Sequence, residues 1–152
     1  MSELSDETDD LVFTRVFEAP RRLVFRCMIE PDRLTHFWGP LGMSTPLPGI
    51  KVDPRPGGIF ETVMVNDADG SQYVMRAVYV EITEPERLVW TDSDSGVTTT
   101  STFSELGDAR TEVQIRQSNV PEAFRSPEAQ AGFTTSLDRL AQYLATLSGE
   151  GQ

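Results

Sequence analysis

The sequence predicts an α+β fold in which a curved antiparallel sheet wraps around one long C-terminal helix. Three observations carry this expectation. From Ile59 to Ser118, β-rich runs alternate with turn signals, the pattern of an antiparallel meander. Near the C-terminus, Phe133, Leu137, Leu140, Ala141, Leu144 and Leu147 form a sustained apolar stripe at helical spacing. Two short amphipathic segments lie between the first strand and the meander. A helix this amphipathic must cover an apolar surface, and one side of the meander is the only one large enough, so the sheet has to curve around it.

Taken in order, Leu11 to Glu18 is rich in β-branched and aromatic residues and reads as the first strand, ended by Ala19-Pro20. Leu23, Val24, Cys27 and Met28 then share one face of a short helix. A second short helix starts at Pro31-Asp32, with Leu34, Phe37 and Trp38 as its buried stripe and Gly39-Pro40 as its stop. The stretch from Gly39 to Gly49 holds three prolines and three glycines and reads as a loop that leads into a strand near Ile50 to Asp53. Strands follow over Ile59 to Asn66, Ser71 to Thr83, Arg87 to Asp92, Val97 to Leu106 and Arg110 to Ser118. Ser126-Pro127-Glu128 opens the long helix, whose opposite face carries Asp138, Arg139, Gln142 and Thr146.

At 152 residues the chain fits one domain: an acidic tail over 1–10 that is expected to be disordered, a domain over 11–148 and a flexible end over 149–152. The net charge of −11 and the lack of a basic stripe exclude phosphate backbones as partners. The first residues lack a basic start and a greasy middle, and no apolar run approaches the roughly 20 residues of a membrane span. Neither export nor membrane insertion is expected. The single cysteine cannot form an internal disulfide, which suits a reducing cytoplasm.

No motif for nucleophilic, metal or phosphate chemistry is present, so the expectation is no catalytic residue, no metal and no cofactor. His36, the only histidine, falls away from the apolar stripe and reads as solvated. Cys27 lies on a buried stripe with no neighbouring cation to activate it and reads as an inert core thiol. Asp92-Ser93-Asp94-Ser95-Gly96 starts like a calcium loop, but Phe103 stands where the bidentate glutamate is needed, so it is a turn.

Ala19-Pro20 with Val24-Phe25, Pro31, Phe37-Trp38-Gly39-Pro40, Pro56-Gly57-Gly58, Glu84-Pro85-Glu86-Arg87-Leu88-Val89 and Leu137-Asp138-Arg139-Leu140 follow one another in register. In these motifs the chain resembles the SRPBCC superfamily, the helix-grip fold of birch-pollen-allergen-like and START domains. Within it, the chain resembles the family named after the activator of the heat-shock-protein-90 ATPase. The resemblance implies a cavity between sheet and long helix, used across the superfamily for lipids, sterols, polyketides and hormones. The eukaryotic co-chaperone resembles this chain only through its C-terminal domain, so a chaperone partner is not expected.

Trp38, Phe60, Met64, Tyr73, Met75, Tyr79, Trp90, Phe133 and Leu137 are the candidate ligand-pocket residues. One helix cannot fill a sheet curved around it, and Tyr and Trp bring polar ends that need partners. A four-residue hairpin loop turns Phe60, Thr62 and Met64 inward together with Tyr73, Met75, Ala77 and Tyr79. A three-residue loop with a bulge at Gly70 instead turns Val74, Arg76 and Val78 inward.

The expected function is binding or carriage of a small, largely apolar molecule. One alternative is a cyclase- or hydrolase-like cavity enzyme, for which Glu61, Arg76 and Asp92 are the nearby ionisable residues. The other is a chaperone-interaction module or homodimer that stimulates an ATPase. The loop from Gly39 to Gly49 is expected at the open end of the cavity as a lid, with Trp38 at its rim.

Overall fold

The computed structural model describes residues 10–107, 109–122 and 125–150. Nearly all of the acidic tail assigned to 1–10, and the last two residues of the flexible end assigned to 149–152, lie outside the described residues. Strand β1 (Leu11–Phe17) is followed by helices α1 (Arg21–Cys27) and α2 (Pro31–Leu34). Two short strands, β2 (Met43–Ser44) and β3 (Lys51–Val52), flank a 3-10 turn at Leu47–Gly49. The meander is β4 (Ile59–Asn66), β5 (Gln72–Thr83), β6 (Arg87–Asp92), β7 (Thr98–Glu105) and β8 (Thr111–Ser118), and the chain closes with α3 (Pro127–Glu150). At 24 residues, α3 is about 36 Å long.

The strands form one sheet in the order β1-β8-β7-β6-β5-β4-β2, with β3 also pairing β4. Every pairing is antiparallel. The first strand returns to pair β8, while β2 and β3 share the outer edge of β4. This is the α+β helix-grip arrangement, a curved open sheet with a long C-terminal helix and two short helices after the first strand.

The core lies on the concave side. Phe17, Phe60, Ala77, Tyr79, Leu88, Phe103, Val113 and Ile115 from the sheet meet Leu137, Leu140 and Leu144 of α3 and Val24, Phe25 and Leu34 of the short helices. Proline at the first position of α2 needs no amide partner there and starts the helix at little cost. The sequence suggests helix through Trp38, but regular helix ends at Leu34. Single turns continue it, with the Phe37 and Trp38 amides both donating to the Leu34 carbonyl. Phe37 is thereby buried although it stands outside the helix.

The hairpin β4–β5 decides which face looks inward. Phe60 pairs with Ala77, Thr62 with Met75, and Met64 with Tyr73, while Glu61 faces Arg76 on the outer side. The loop has four residues, Asp67 to Gly70, closed by Gly70 at φ +75° and a Gly70 amide to Asn66 carbonyl bond of 2.8 Å. Further along β5 the pairing shifts between Tyr79 and Glu81. The unpaired Val80 is a bulge that bends this long strand, as the curvature of the sheet requires.

Candidate functional site

The concave face holds a connected group of aromatic rings. Trp38, just past α2, lies 5.2 Å from Phe60 and 6.2 Å from Trp90 between ring centroids. Phe60 meets Trp90 edge-on at 5.2 Å and stacks almost parallel to Tyr79 at 5.5 Å. The register explains the grouping. Phe60 and Tyr79 share the inward face of the β4–β5 hairpin, and Tyr79 is the cross-strand partner of Trp90. Tilted and edge-to-face pairs of this kind contribute about 0.5–1.5 kcal/mol each beyond simple burial.

The nine predicted pocket residues all project on this side but at different depths. Phe60, Tyr79 and Leu137 are buried. Trp38, Met75, Trp90 and Phe133 are partly buried against the core, and Met64 is intermediate. Tyr73, one residue from the tip end of β5, is 57% exposed. Phe133 packs on Phe13 of β1 at 4.5 Å, at the far side of the sheet from Trp38.

Three polar atoms on this face are buried without a hydrogen-bond partner: Thr62 Oγ1, Tyr79 Oη and Thr99 Oγ1. Burial without a partner pushes the Tyr79 hydroxyl well above its ordinary pKa. Thr62 sits two residues along β4 from Phe60 on the same face, and Thr99 pairs across strands with Trp90. The other two buried threonine hydroxyls are satisfied locally: Thr45 Oγ1 donates to the Trp38 carbonyl and Thr111 Oγ1 to the Ala19 carbonyl, each at 2.7 Å.

The loop after Trp38 lies near the long helix, as expected, and is tied to it by hydrogen bonds. Arg139 Nη1 donates to the carbonyls of Gly39, Pro40 and Met43 at 2.9, 3.1 and 3.0 Å. The Leu41 amide donates to Thr135 Oγ1, and Ser136 Oγ donates to the Phe37 carbonyl. Arg139 was expected on the solvent side of α3; it is instead only partly exposed, its charge met by carbonyls. Asp138 likewise leaves the solvent side to pair with Arg15 of β1 at 2.7 Å. Arg15 is a charged residue on the inward face that sequence patterning did not single out, because the alternation of β1 is apolar on both faces.

Cys27 is buried, and burial pushes its thiol up to about 12, the smaller opposing pull coming from Arg33. A cation is therefore near Cys27 after all, but desolvation outweighs it. His36 is exposed and stacks on Tyr143 at 4.5 Å and 10°. These two, with Arg139, Gln142, Thr146 and Leu147, line an open cleft of about 430 Å³ between the α2 turn and α3. It contains none of the nine predicted residues. Its polar groups are largely engaged with neighbours: Arg33 donates to the Tyr143 hydroxyl, and Thr146 Oγ1 donates to the Tyr143 carbonyl. Asp92, one of the ionisable candidates, accepts the Asp94 and Ser95 amides and so acts as a turn acceptor.

A curved antiparallel sheet with a long helix across its concave, aromatic-lined face defines a helix-grip protein. The family described as "Activator of Hsp90 ATPase homolog 1-like protein" matches residues 18–145. The chain belongs to that family, within the SRPBCC superfamily. Among solved structures, protein CV1439 of Chromobacterium violaceum is similar at 27% identity, over 88% of this chain and 95% of that one, with a TM-score of 0.81. Protein NE0264 of Nitrosomonas europaea is similar at 25% identity, over 92% and 96%, with a TM-score of 0.79. The AHSA1 protein of Silicibacter pomeroyi shares the fold at 23% identity, over 90% and 98%, with a TM-score of 0.75. No curated protein matches the chain. No helix among the described residues is long and apolar enough to cross a membrane.

Proposed function

We propose that the chain binds a small, largely apolar molecule on the concave face, between the sheet and α3. The observation that carries this reading is the aromatic group Trp38, Phe60, Tyr79 and Trp90. Its rings meet mostly at steep angles, and both tryptophans are only partly buried against the core. Large rings left incompletely covered beside a loop and a helix are the usual lining of a small-molecule site. Carriage is favoured over catalysis because the ionisable residues near this face are engaged elsewhere. Glu61 and Arg76 are on the outer side, and Asp92 caps a turn. The test is titration of the purified chain with N-phenyl-1-naphthylamine, followed by competition with sterols, fatty acids and aromatic polyketides. Saturable fluorescence that Trp38→Ala removes supports the reading; no binding at any concentration sinks it.

A second reading, self-association through the outer face of the sheet, is favoured by the exposure of Ile59, Val74, Val78 and Val80 on β4 and β5. Its test is sedimentation of the full chain over a range of concentrations. Stimulation of a chaperone ATPase, which the family description names, gains no support from any residue of the concave face.

A further inference from the structure

The open cleft between the α2 turn and α3 shares no lining residue with the concave-face group. Arg139, Gln142, Tyr143, Thr146 and Leu147 fall at i, i+3, i+4, i+7 and i+8, one face of α3, and His36 forms the wall opposite. From Arg139 to Leu147 the floor is about 12 Å long. Arg139 stands at one end with only part of its donors used. Its Nη1 reaches the three loop carbonyls, while Nε and Nη2 of the same planar fork have no partner among the described residues. Carbonyls carry no countercharge, and no carboxylate among the described residues pairs with this guanidinium. Glu30 is taken by Arg26 and Arg33, and Asp138 by Arg15. Asp32 stands on the first turn of α2, outside the lining. In a chain of net charge −11, a cleft lined by an arginine and by no acid selects for an anion.

We propose that this cleft is a second binding site, for a small aromatic carboxylate, with the carboxylate on Nε and Nη2 of Arg139 and the ring along His36 and Tyr143 toward Leu147. The site goes beyond the concave-face reading and does not depend on it. The edge of a guanidinium matches two carboxylate oxygens at once, and Gln142 adds an amide donor beside it. His36 lies parallel on Tyr143 at 4.5 Å with its imidazole exposed, a flat wall for a flat guest. The volume of about 430 Å³ falls in the range of small-molecule sites. A wholly apolar guest would leave the arginine charge unmatched, and a bare anion would leave the ring wall and Leu147 unused.

The experiment measures binding of 1-naphthoate to the full chain by calorimetry at low salt, beside 1-naphthalenemethanol and acetate. Naphthoate should bind about tenfold or more tighter than either, the span of a charge-assisted hydrogen bond. Gln142 is exposed and makes no side-chain hydrogen bond among the described residues. Gln142→Glu therefore sets a carboxylate beside Arg139 without loosening the fold, and should weaken naphthoate about tenfold at an unchanged melting temperature. Arg139→Met should weaken it at least as much, and His36→Ala about threefold. Saturating N-phenyl-1-naphthylamine, the probe for the concave face, should leave naphthoate affinity unchanged. Naphthoate that binds no tighter than the alcohol, that keeps its affinity in Gln142→Glu, or that is displaced by N-phenyl-1-naphthylamine overturns the inference. Acetate binding as tightly as naphthoate overturns it as well, since the ring would then have no part.

Discussion

Cys27 and Trp38 illustrate how much burial decides for single residues. Because the Cys27 thiol is held up to about 12 in the folded chain against about 8.5 in an unfolded one, the folded state keeps its proton longer. The sign follows directly: its contribution is fully present below pH 8.5 and is lost as pH rises toward 12. Chemical denaturation between pH 9 and 11 should show stability falling by up to about 1.4 kcal/mol per pH unit from this group. Cys27→Ala should reduce that slope, at the cost of a smaller core, and iodoacetamide should label the natural chain only after unfolding. Trp38 differs because its ring is partly exposed. Trp38→Ala should cost about 2 kcal/mol in denaturant unfolding, less than the 3–5 of a fully buried tryptophan, while abolishing probe binding. A full 4 kcal/mol loss with binding retained would make it plain core. Both residues were visible in the sequence as members of apolar stripes, but the Arg33 beside Cys27 was not, since that contact crosses from one short helix to the next.

At the scale of elements, β1, β3, the five meander strands, both short helices and the long helix were legible because most are bounded by proline, glycine or aspartate turns with a local physical reason, whereas β2 (Met43–Ser44) and the 3-10 turn at Leu47–Gly49 lie inside the stretch read as loop, where the prolines and glycines hid them. The inward face of β5 was legible only as two alternatives. The loop length chose between them, through the positive φ of Gly70. What was not legible is the tie between α3 and the loop after Trp38, because Arg139 reads as a solvated helical residue until the chain folds back nearly 100 positions to meet it. Thr99 was hidden for a different reason: β7 is a run of threonine and serine with no alternation to assign a face. The tie makes a prediction. Arg139→Met removes three charge-assisted bonds to backbone carbonyls while keeping the stem, and should cost about 1.5–3 kcal/mol. Hydrogen exchange should quicken over residues 39–45 with little change in the meander. Gly39→Ala should act similarly from the other side, because φ is +96° there and a Cβ would lie 2.8 Å from Met64 Sδ. Uniform exchange across the whole chain in either variant would mean that the loop is not a separable unit.

The whole molecule has two unequal layers: helices on the concave side, and an outer sheet face left to solvent. Neighbouring residues of β5 therefore have opposite fates. Ala77 is 2% exposed beneath the core, whereas Val78 is 39% exposed on the outer side across from Ile59. Ala77→Lys should unfold the chain outright, since an unpaired charge would enter the core. Val78→Lys should stay within about 0.5 kcal/mol at low protein concentration, as surface changes do. Concentration then separates an idle face from a working one. The net charge of −11 opposes contact between copies, and this repulsion is screened beyond about 8 Å at 0.15 M salt and more closely at higher salt. Apolar contact gains as that repulsion fades. Self-association through Ile59, Val74, Val78 and Val80 should therefore strengthen between 0.02 and 0.5 M salt in sedimentation and vanish in Val78→Lys. A single sedimenting species of monomer mass at high salt and high concentration would leave the outer face without a partner in copies of this chain.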